Sequence, residues 1–248
     1  MRRKLLNALL HLLYFLLLRL EVLGTENVPP TGPLILMINH VGGIDPFIVT
    51  GVFPRPVTSM SKIEVFTIPL IGLLVRAYGA IPIHRGRVDK QALRQAYQVL
   101  EQGGVLLIAP EGTRSPTHSL QRGKEGMALI AARSGAPIIP VAITGTQNST
   151  RCWKRLRRVQ VRIIIGHPFR LDPGGQQVRR PLLRAMTDEA MYQLAATLPP
   201  GYRGVYENLN QASESHVVVL GEGRRGPLAA QRSQVPADLN EQPEQEKQ

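Results

Sequence analysis

Leu34-Ile35-Leu36-Met37-Ile38-Asn39-His40-Val41-Gly42-Gly43-Ile44-Asp45-Pro46 is the stretch that decides how this chain folds. Its first five residues are a continuous apolar run of buried-strand length. Asp45-Pro46 then reads as an N-cap followed by proline at the first helical position, which opens a helix through about Val52. His40 and Asp45 stand between strand and helix, and Gly42 and Gly43 let the backbone turn sharply there. A neutral imidazole can take a proton from a hydroxyl, while a carboxylate orients the ring and stabilises the imidazolium that forms. A strand-to-helix turn carrying this pair is a proton-transfer site in outline.

The same alternation continues outward. Ala80-Ile81-Pro82-Ile83 is a short apolar run ending in His84-Arg85-Gly86. Between Asp89 and Gln102, Leu93, Ala96 and Leu100 keep helical spacing, and Gly103 supplies the stop. Val105-Leu106-Leu107-Ile108-Ala109 is a second buried strand, leading into Pro110-Glu111-Gly112-Thr113-Arg114-Ser115. A helix over about 123–134, a strand over 138–143, a strand over 159–165 nearer the sheet edge and a helix over about 181–198 follow. This order predicts an α/β fold: a single domain over residues 24–220 with a largely parallel central sheet flanked by helices. The polar clusters follow strand ends, where open α/β sheets place their ligands. Residues 221–248 are rich in Gln, Glu, Arg and Pro with few large apolar residues, a composition expected to stay disordered.

Lys and Arg number 30 against 18 Asp and Glu, a net charge of +12, which suits an anionic partner. With Cys152 as the only cysteine there is no internal disulfide, and no Cys/His spacing suggests zinc. Residues 1–23 favour a membrane partner. Arg2-Arg3-Lys4 precede an apolar run from Leu5 to Leu18, and Arg19 and Glu21 restore charge. As a helix that run reaches only ~21 Å at ~1.5 Å per residue, short of a ~30 Å hydrocarbon core. Asn7, His11 and Tyr14 share one face with Arg3, so the segment reads as a helix lying in the membrane interface; a buried core helix is the alternative. Arg151, Lys154, Arg155, Arg157, Arg158 and Arg162 form a second basic cluster, in which Trp153 suits the headgroup level. Nucleic acid is the competing partner, but no recognition motif is present and aromatic residues make up only 5% of the chain, so none is expected.

Four segments in order resemble the glycerolipid acyltransferase family, the group that includes the 1-acylglycerol-3-phosphate acyltransferases. They are Asn39-His40 with Asp45, Gly79 to Gly86, Pro110 to Ser115, and Ile138 to Ile143 around Pro140; Lys62 to Phe66 with Pro69 and Gly72 resembles the family's connecting region. The likeness covers roughly Gly24 to Phe169. Gly42 and Gly43 lie where members more often carry polar or bulkier residues, and His84 replaces an aspartate of some members.

The resemblance implies a glycerolphosphate acyltransferase-like fold. It also implies transfer of a fatty acyl group from acyl-CoA or acyl carrier protein to the sn-2 hydroxyl of lysophosphatidic acid (1-acylglycerol 3-phosphate), at the cytoplasmic face of the membrane. His40 would be the general base and Asp45 would hold its tautomer. Arg85, Arg114 and Lys62 would cradle the phosphate, with Glu111, Gly112 and Thr113 beside them. Neither a metal nor a bound cofactor is required. Glycerol 3-phosphate, another lysophospholipid or an amino-lipid are alternative acceptors within the family. Each residue also has a plainer reading: His40 a core histidine, Asp45 only a cap, Glu111 with Arg114 a loop ion pair, Arg85 and Lys62 solvated surface. A non-catalytic lipid- or nucleic-acid-binding protein would leave the motifs from Asn39 and Pro110 unexplained.

Overall fold

The computed structural model describes residues 10, 12–86, 89–220 and 228. In chain order they form β1 (Leu18–Leu23), β2 (Leu34–Ile38), α1 (Asp45–Val52), β3 (Val57–Lys62), α2 (Ile71–Ala77), β4 (Ile81–Ile83), α3 (Lys90–Glu101) and β5 (Val105–Ile108). There follow α4 (Gly126–Ser134), β6 (Ile138–Thr144), α5 (Ser149–Lys154), β7 (Val159–Ile165), β8 (Phe169–Leu171), α6 (Arg180–Ala196) and β9 (Val217–Val219). The described strands make one sheet of order β1-β7-β6-β2-β5-β3-β4, with β8 pairing β6 and β9. The β2, β5, β3 and β4 pairings are parallel, as are β2 with β6 and β1 with β7; β6 with β7, and the β8 pairings, run antiparallel.

The apolar run of β2 follows from this central place. Both its faces are covered, so it has no polar side to show. Ile35 and Met37 pack with Ala96 and Leu100 of α3, Met127 and Ile130 of α4, and Met186 and Leu194 of α6. Leu34, Leu36 and Ile38 face the other way, against Ile48 and Val49 of α1 and the inward residues of β7. Gly135 takes the left-handed conformation that closes α4, with its N–H on the Ala131 carbonyl.

Two expectations are corrected. The helix expected over residues 1–23 does not reach Leu23. Residues 12–17 are helical, but Leu18–Leu23 alternates at period two, not 3.6, and joins the sheet as β1 against β7. Arg19 and Glu21 are then outward-facing side chains of an edge strand, and Glu21 pairs with Arg162 of β7 at 2.7 Å. Residues 1–9, including the basic start, lie outside the described residues. No helix among the described residues is long and apolar enough to cross a membrane. Second, Trp153 does not lie free at a surface: its ring packs against the core and its indole nitrogen is buried. The tail expected to be disordered from 221 lies outside the described residues, except for Leu228, which is buried with its N–H 3.3 Å from Gln193 Oε1.

Candidate active site

The site forms at the carboxyl ends of β2 and β5. As β2 ends, Asn39 uses its side-chain amide as an extra ladder rung: Nδ2 donates to the Ile143 carbonyl at 2.8 Å and Oδ1 accepts from the Ile143 N–H at 2.7 Å. That bidentate grip on β6 sets the direction in which His40 leaves the sheet.

The backbone then turns tightly around one carboxylate. Asp45 Oδ2 accepts from the Val41 N–H at 2.8 Å, the Gly42 N–H at 2.7 Å and His40 Nδ1 at 2.9 Å. A side chain at Gly42 would come within 2.7 Å of Thr146, so glycine here is a packing requirement. Asp45 is 0% exposed and is the first helical residue; Ile44 is the cap, with no side-chain cap bond. The expected capping role is therefore corrected: the carboxylate turns back onto the loop while remaining at the favourable positive end of α1. Because a carboxylate only accepts, the His40 proton sits on Nδ1. In the neutral ring, Nε2 then carries the free lone pair.

His40 is also fixed through its main chain. Its N–H donates to Glu111 Oε1 at 3.1 Å, and its carbonyl accepts from the Ser115 N–H at 2.8 Å. Glu111 Oε2 accepts from the Gln121 N–H at 2.9 Å. Glu111 is 2% exposed and both its oxygens accept from backbone N–H groups, so it braces the site, and among the described residues it forms no ion pair with Arg114. Burial pushes its carboxyl up to about 7, against the pull of the two N–H bonds and His40; Asp45 pushes the same way as burial. A carboxyl raised on folding binds its proton more tightly in the folded chain, so stability falls as pH rises from the unfolded value toward 7. Glu111→Gln does not titrate and loses one of the two bonds. It should be less stable than wild type at pH 5, with the gap narrowing by pH 8; thermal midpoints across that range check this, and a gap independent of pH would contradict it.

A cavity of about 580 Å³ opens in front of His40, within the usual ~300–1,000 Å³ of ligand sites. Its walls include Leu93 of α3, Met127 and Ile130 of α4, and Leu183 of α6, while Lys62, Arg85 and Lys124 bring cations to it. Of the expected residues, His40, Lys62, Arg85 and Gly112 line this space. Lys62 pairs with Glu64 at 2.9 Å, but both are well exposed, so solvent screening leaves the pair weak. Arg114 is exposed and lies over Gly43, its Nη1 3.6 Å from where a Cβ would stand. Thr113 is exposed and does not line the cavity.

Two contributors were not foreseen. Gly112 has φ 67°, and a Cβ there would sit 2.9 Å from Lys124 Nζ, so glycine leaves the space this lysine occupies. The Lys124 loop is anchored one residue earlier: Gly123 donates its N–H to the Tyr206 hydroxyl at 3.1 Å and accepts from Arg184 at 2.6 Å. Nothing in the local sequence marks Lys124. The second is His84 with Asp89, which repeats the spacing of His40 with Asp45; here too Nδ1 lies 2.9 Å from a carboxylate oxygen, and both residues line the cavity. Asp89 also caps α3 through the Ala92 N–H at 3.0 Å. The Ala92 and His84 N–H groups and the His84 ring hold its carboxyl well below the usual range.

Residues 19–144 match the model of the acyltransferase family, and the chain belongs to that family. Among similar proteins is the 1-acyl-sn-glycerol-3-phosphate acyltransferase of Chlamydomonas reinhardtii, 29% identical over 187 residues that cover 73% of this chain and 54% of that one. The protein of the same name from Bacillus subtilis is 26% identical over 68% of this chain and 82% of its own. The chain spans about half the length of the Chlamydomonas and Borreliella burgdorferi relatives it matches. The crystal structure of the 1-acyl-sn-glycerophosphate (LPA) acyltransferase PlsC from Thermotoga maritima superposes with a TM-score of 0.56 at 26% identity, covering 80% of this chain and 75% of that one.

Proposed function

We propose that this chain transfers a fatty acyl group from a thioester of coenzyme A or acyl carrier protein to the sn-2 hydroxyl of 1-acylglycerol 3-phosphate, giving phosphatidic acid at the cytoplasmic face of a membrane. The observation that carries this reading is the His40 Nδ1–Asp45 Oδ2 bond of 2.9 Å beside a cavity that joins apolar walls to Lys62, Arg85 and Lys124. Lipid acceptor and acyl donor both need such a combination: apolar wall for chains, cations for phosphate.

His40 Nε2 takes the acceptor's hydroxyl proton as its oxygen attacks the thioester carbonyl. Asp45 stabilises the resulting imidazolium, which returns the proton to the departing thiolate as the carbon–sulfur bond breaks. Lys124 and Arg85 hold the acceptor's phosphate, and Lys62 adds charge at the same cavity. The names carried by the relatives support this acceptor over glycerol 3-phosphate, other lysophospholipids and amino-lipids. The net charge of +12 and the exposed leucines of residues 12–17 support work at an anionic lipid surface rather than on nucleic acid.

The decisive experiment presents purified protein with each acceptor and with both donor types, and identifies products by mass spectrometry. Phosphatidic acid formed in step with thiol release is the expected result; consumption of no donor with any acceptor would refute the reading. Within it, Lys124→Ala and Arg85→Ala should each raise the KM for the phosphorylated acceptor about tenfold or more, because a charged phosphate contact is worth ~1.5–3 kcal/mol. The donor KM should change less, and the reverse pattern would assign these cations to the donor.

A further inference from the structure

Two leucines of this chain are held out into solvent by backbone that leucine disfavours. Leu70 has φ 61° and is 83% exposed; Leu156 has φ 52° and is 98% exposed. A branched apolar residue with positive φ is strained, and such strain persists where surrounding structure enforces it. The enforcement is visible at both positions. Before α2 the chain doubles back so tightly that a side chain at Gly72 would lie 2.3 Å from the Phe66 carbonyl oxygen, and Gly72 N–H bonds the Ile68 carbonyl at 2.7 Å. After α5, Leu156 N–H bonds the Trp153 carbonyl at 3.0 Å and Arg157 N–H bonds that of Cys152 at 2.9 Å. Neither leucine is a loose side chain on a slack loop.

A strip of contacts links the neighbourhoods of the two tips. Beside Leu70, Ile68 and Leu73 are also exposed, and Arg76 lies over the Phe66 ring at 5.8 Å. Tyr78 at the end of α2 lines the catalytic cavity, as do Val65 and Val75. Next along the strip is the helical segment 12–17, whose Tyr14 bonds the Phe47 carbonyl at 2.8 Å and is raised by burial and then by nearby Tyr78. Leu12, Leu13, Phe15, Leu16 and Leu17 of this segment are exposed, and Leu10 lines the cavity. Phe15 carries Arg158 over its ring at 5.2 Å, and Arg158 follows Leu156 by two residues, with Arg155 and Arg157 between and before them. Leu70 thus stands beside elements that reach the cavity through Val65, Val75 and Tyr78, while Leu156 and its arginines stand beside the 12–17 segment.

We propose that Leu70 and Leu156 are bilayer-entering tips that seat this strip on an anionic phospholipid surface, so that the cavity beside His40 opens toward lipid. Arginine complements anionic headgroups, and leucine gains by leaving water for acyl chains. Strain and exposure, both unfavourable in water, are then offset at the surface where the chain works. The inference rests on the membrane-surface reading above.

The test uses the full chain and vesicles of phosphatidylglycerol with phosphatidylcholine. At positive φ, glycine is unstrained, so Leu70→Gly/Leu156→Gly should raise the thermal midpoint while weakening vesicle binding. A tenfold or greater rise in Kd is expected, with Leu70→Glu/Leu156→Glu larger still. Acyl transfer to acceptor in vesicles should fall in step, and transfer to detergent-dispersed acceptor should hold. In a Cys152→Ser background, an environment-sensitive dye on a cysteine at position 70 should shift to the blue when vesicles are added. Undiminished binding by the double variants, or no shift at position 70, would overturn the assignment. Wild-type protein that ignores vesicles would overturn the membrane reading with it. A dye shift without acyl transfer would leave this inference standing and refute only the enzymatic one.

Discussion

His40→Ala should lower kcat for acyl transfer by about 10²–10⁴-fold, the usual span for removing a positioned general base. The protein should stay folded, because the substitution leaves the main-chain bonds of residue 40 to Glu111 and Ser115 in place. Asp45 likewise keeps the Val41 and Gly42 N–H groups on Oδ2. The loss should therefore appear in turnover with little change in thermal midpoint or acceptor KM. Folded His40→Ala protein that turns over normally would remove the general base from the mechanism.

Asp45→Asn separates charge from shape and should cost about 10²-fold or more in kcat. If the amide oxygen stays toward the Val41 and Gly42 N–H groups, the His40 tautomer survives but the imidazolium loses its anionic partner. If the amide turns its nitrogen toward His40 Nδ1, the proton moves to Nε2 and the ring can no longer accept from substrate. Both orientations fail chemically. Asp45→Ala adds a structural loss: two buried N–H groups are left without an acceptor, at ~1–3 kcal/mol each. Denaturant midpoints should therefore rank wild type above Asn and Asn above Ala. An alanine variant as stable as wild type would show that the carboxylate does not hold the loop.

The sequence made the central sheet legible because its inner strands have no polar face to confuse the pattern. Leu34–Ile38, Val105–Ile108 and Ile138–Thr144 lie side by side, and each reads as an apolar run, broken only by the final Thr144. Val57–Lys62 pairs with β5 just as closely, yet Thr58, Ser59, Ser61 and Lys62 conceal it. Ser59, Ser61 and Lys62 line the cavity, and their polarity there masks the strand signal. Leu18–Leu23 was hidden for another reason: the leucine-rich stretch before it has its own strong helical period, and the change to period two comes without a Gly or Pro to mark it. The pairing of His40 with Asp45 was readable from spacing. The role of Glu111 was not, because its partners are backbone N–H groups of residues 40 and 121, and main-chain donors leave no trace in side-chain identity.

The region matching the acyltransferase family ends at residue 144, yet parts of the chain beyond it finish the structure that region begins. β1 has β7 as its strand partner, and the Gly123 grip depends on Arg184 and Tyr206. The matched portion is thus not a separable cassette. Transplanting residues 19–144 into another scaffold would carry the His40–Asp45 pair intact, but would leave an edge strand unzipped and the Lys124 loop unmoored. Exchange between relatives must therefore move both halves together, although the later half holds none of the His40, Asp45 or Pro110–Ser115 residues.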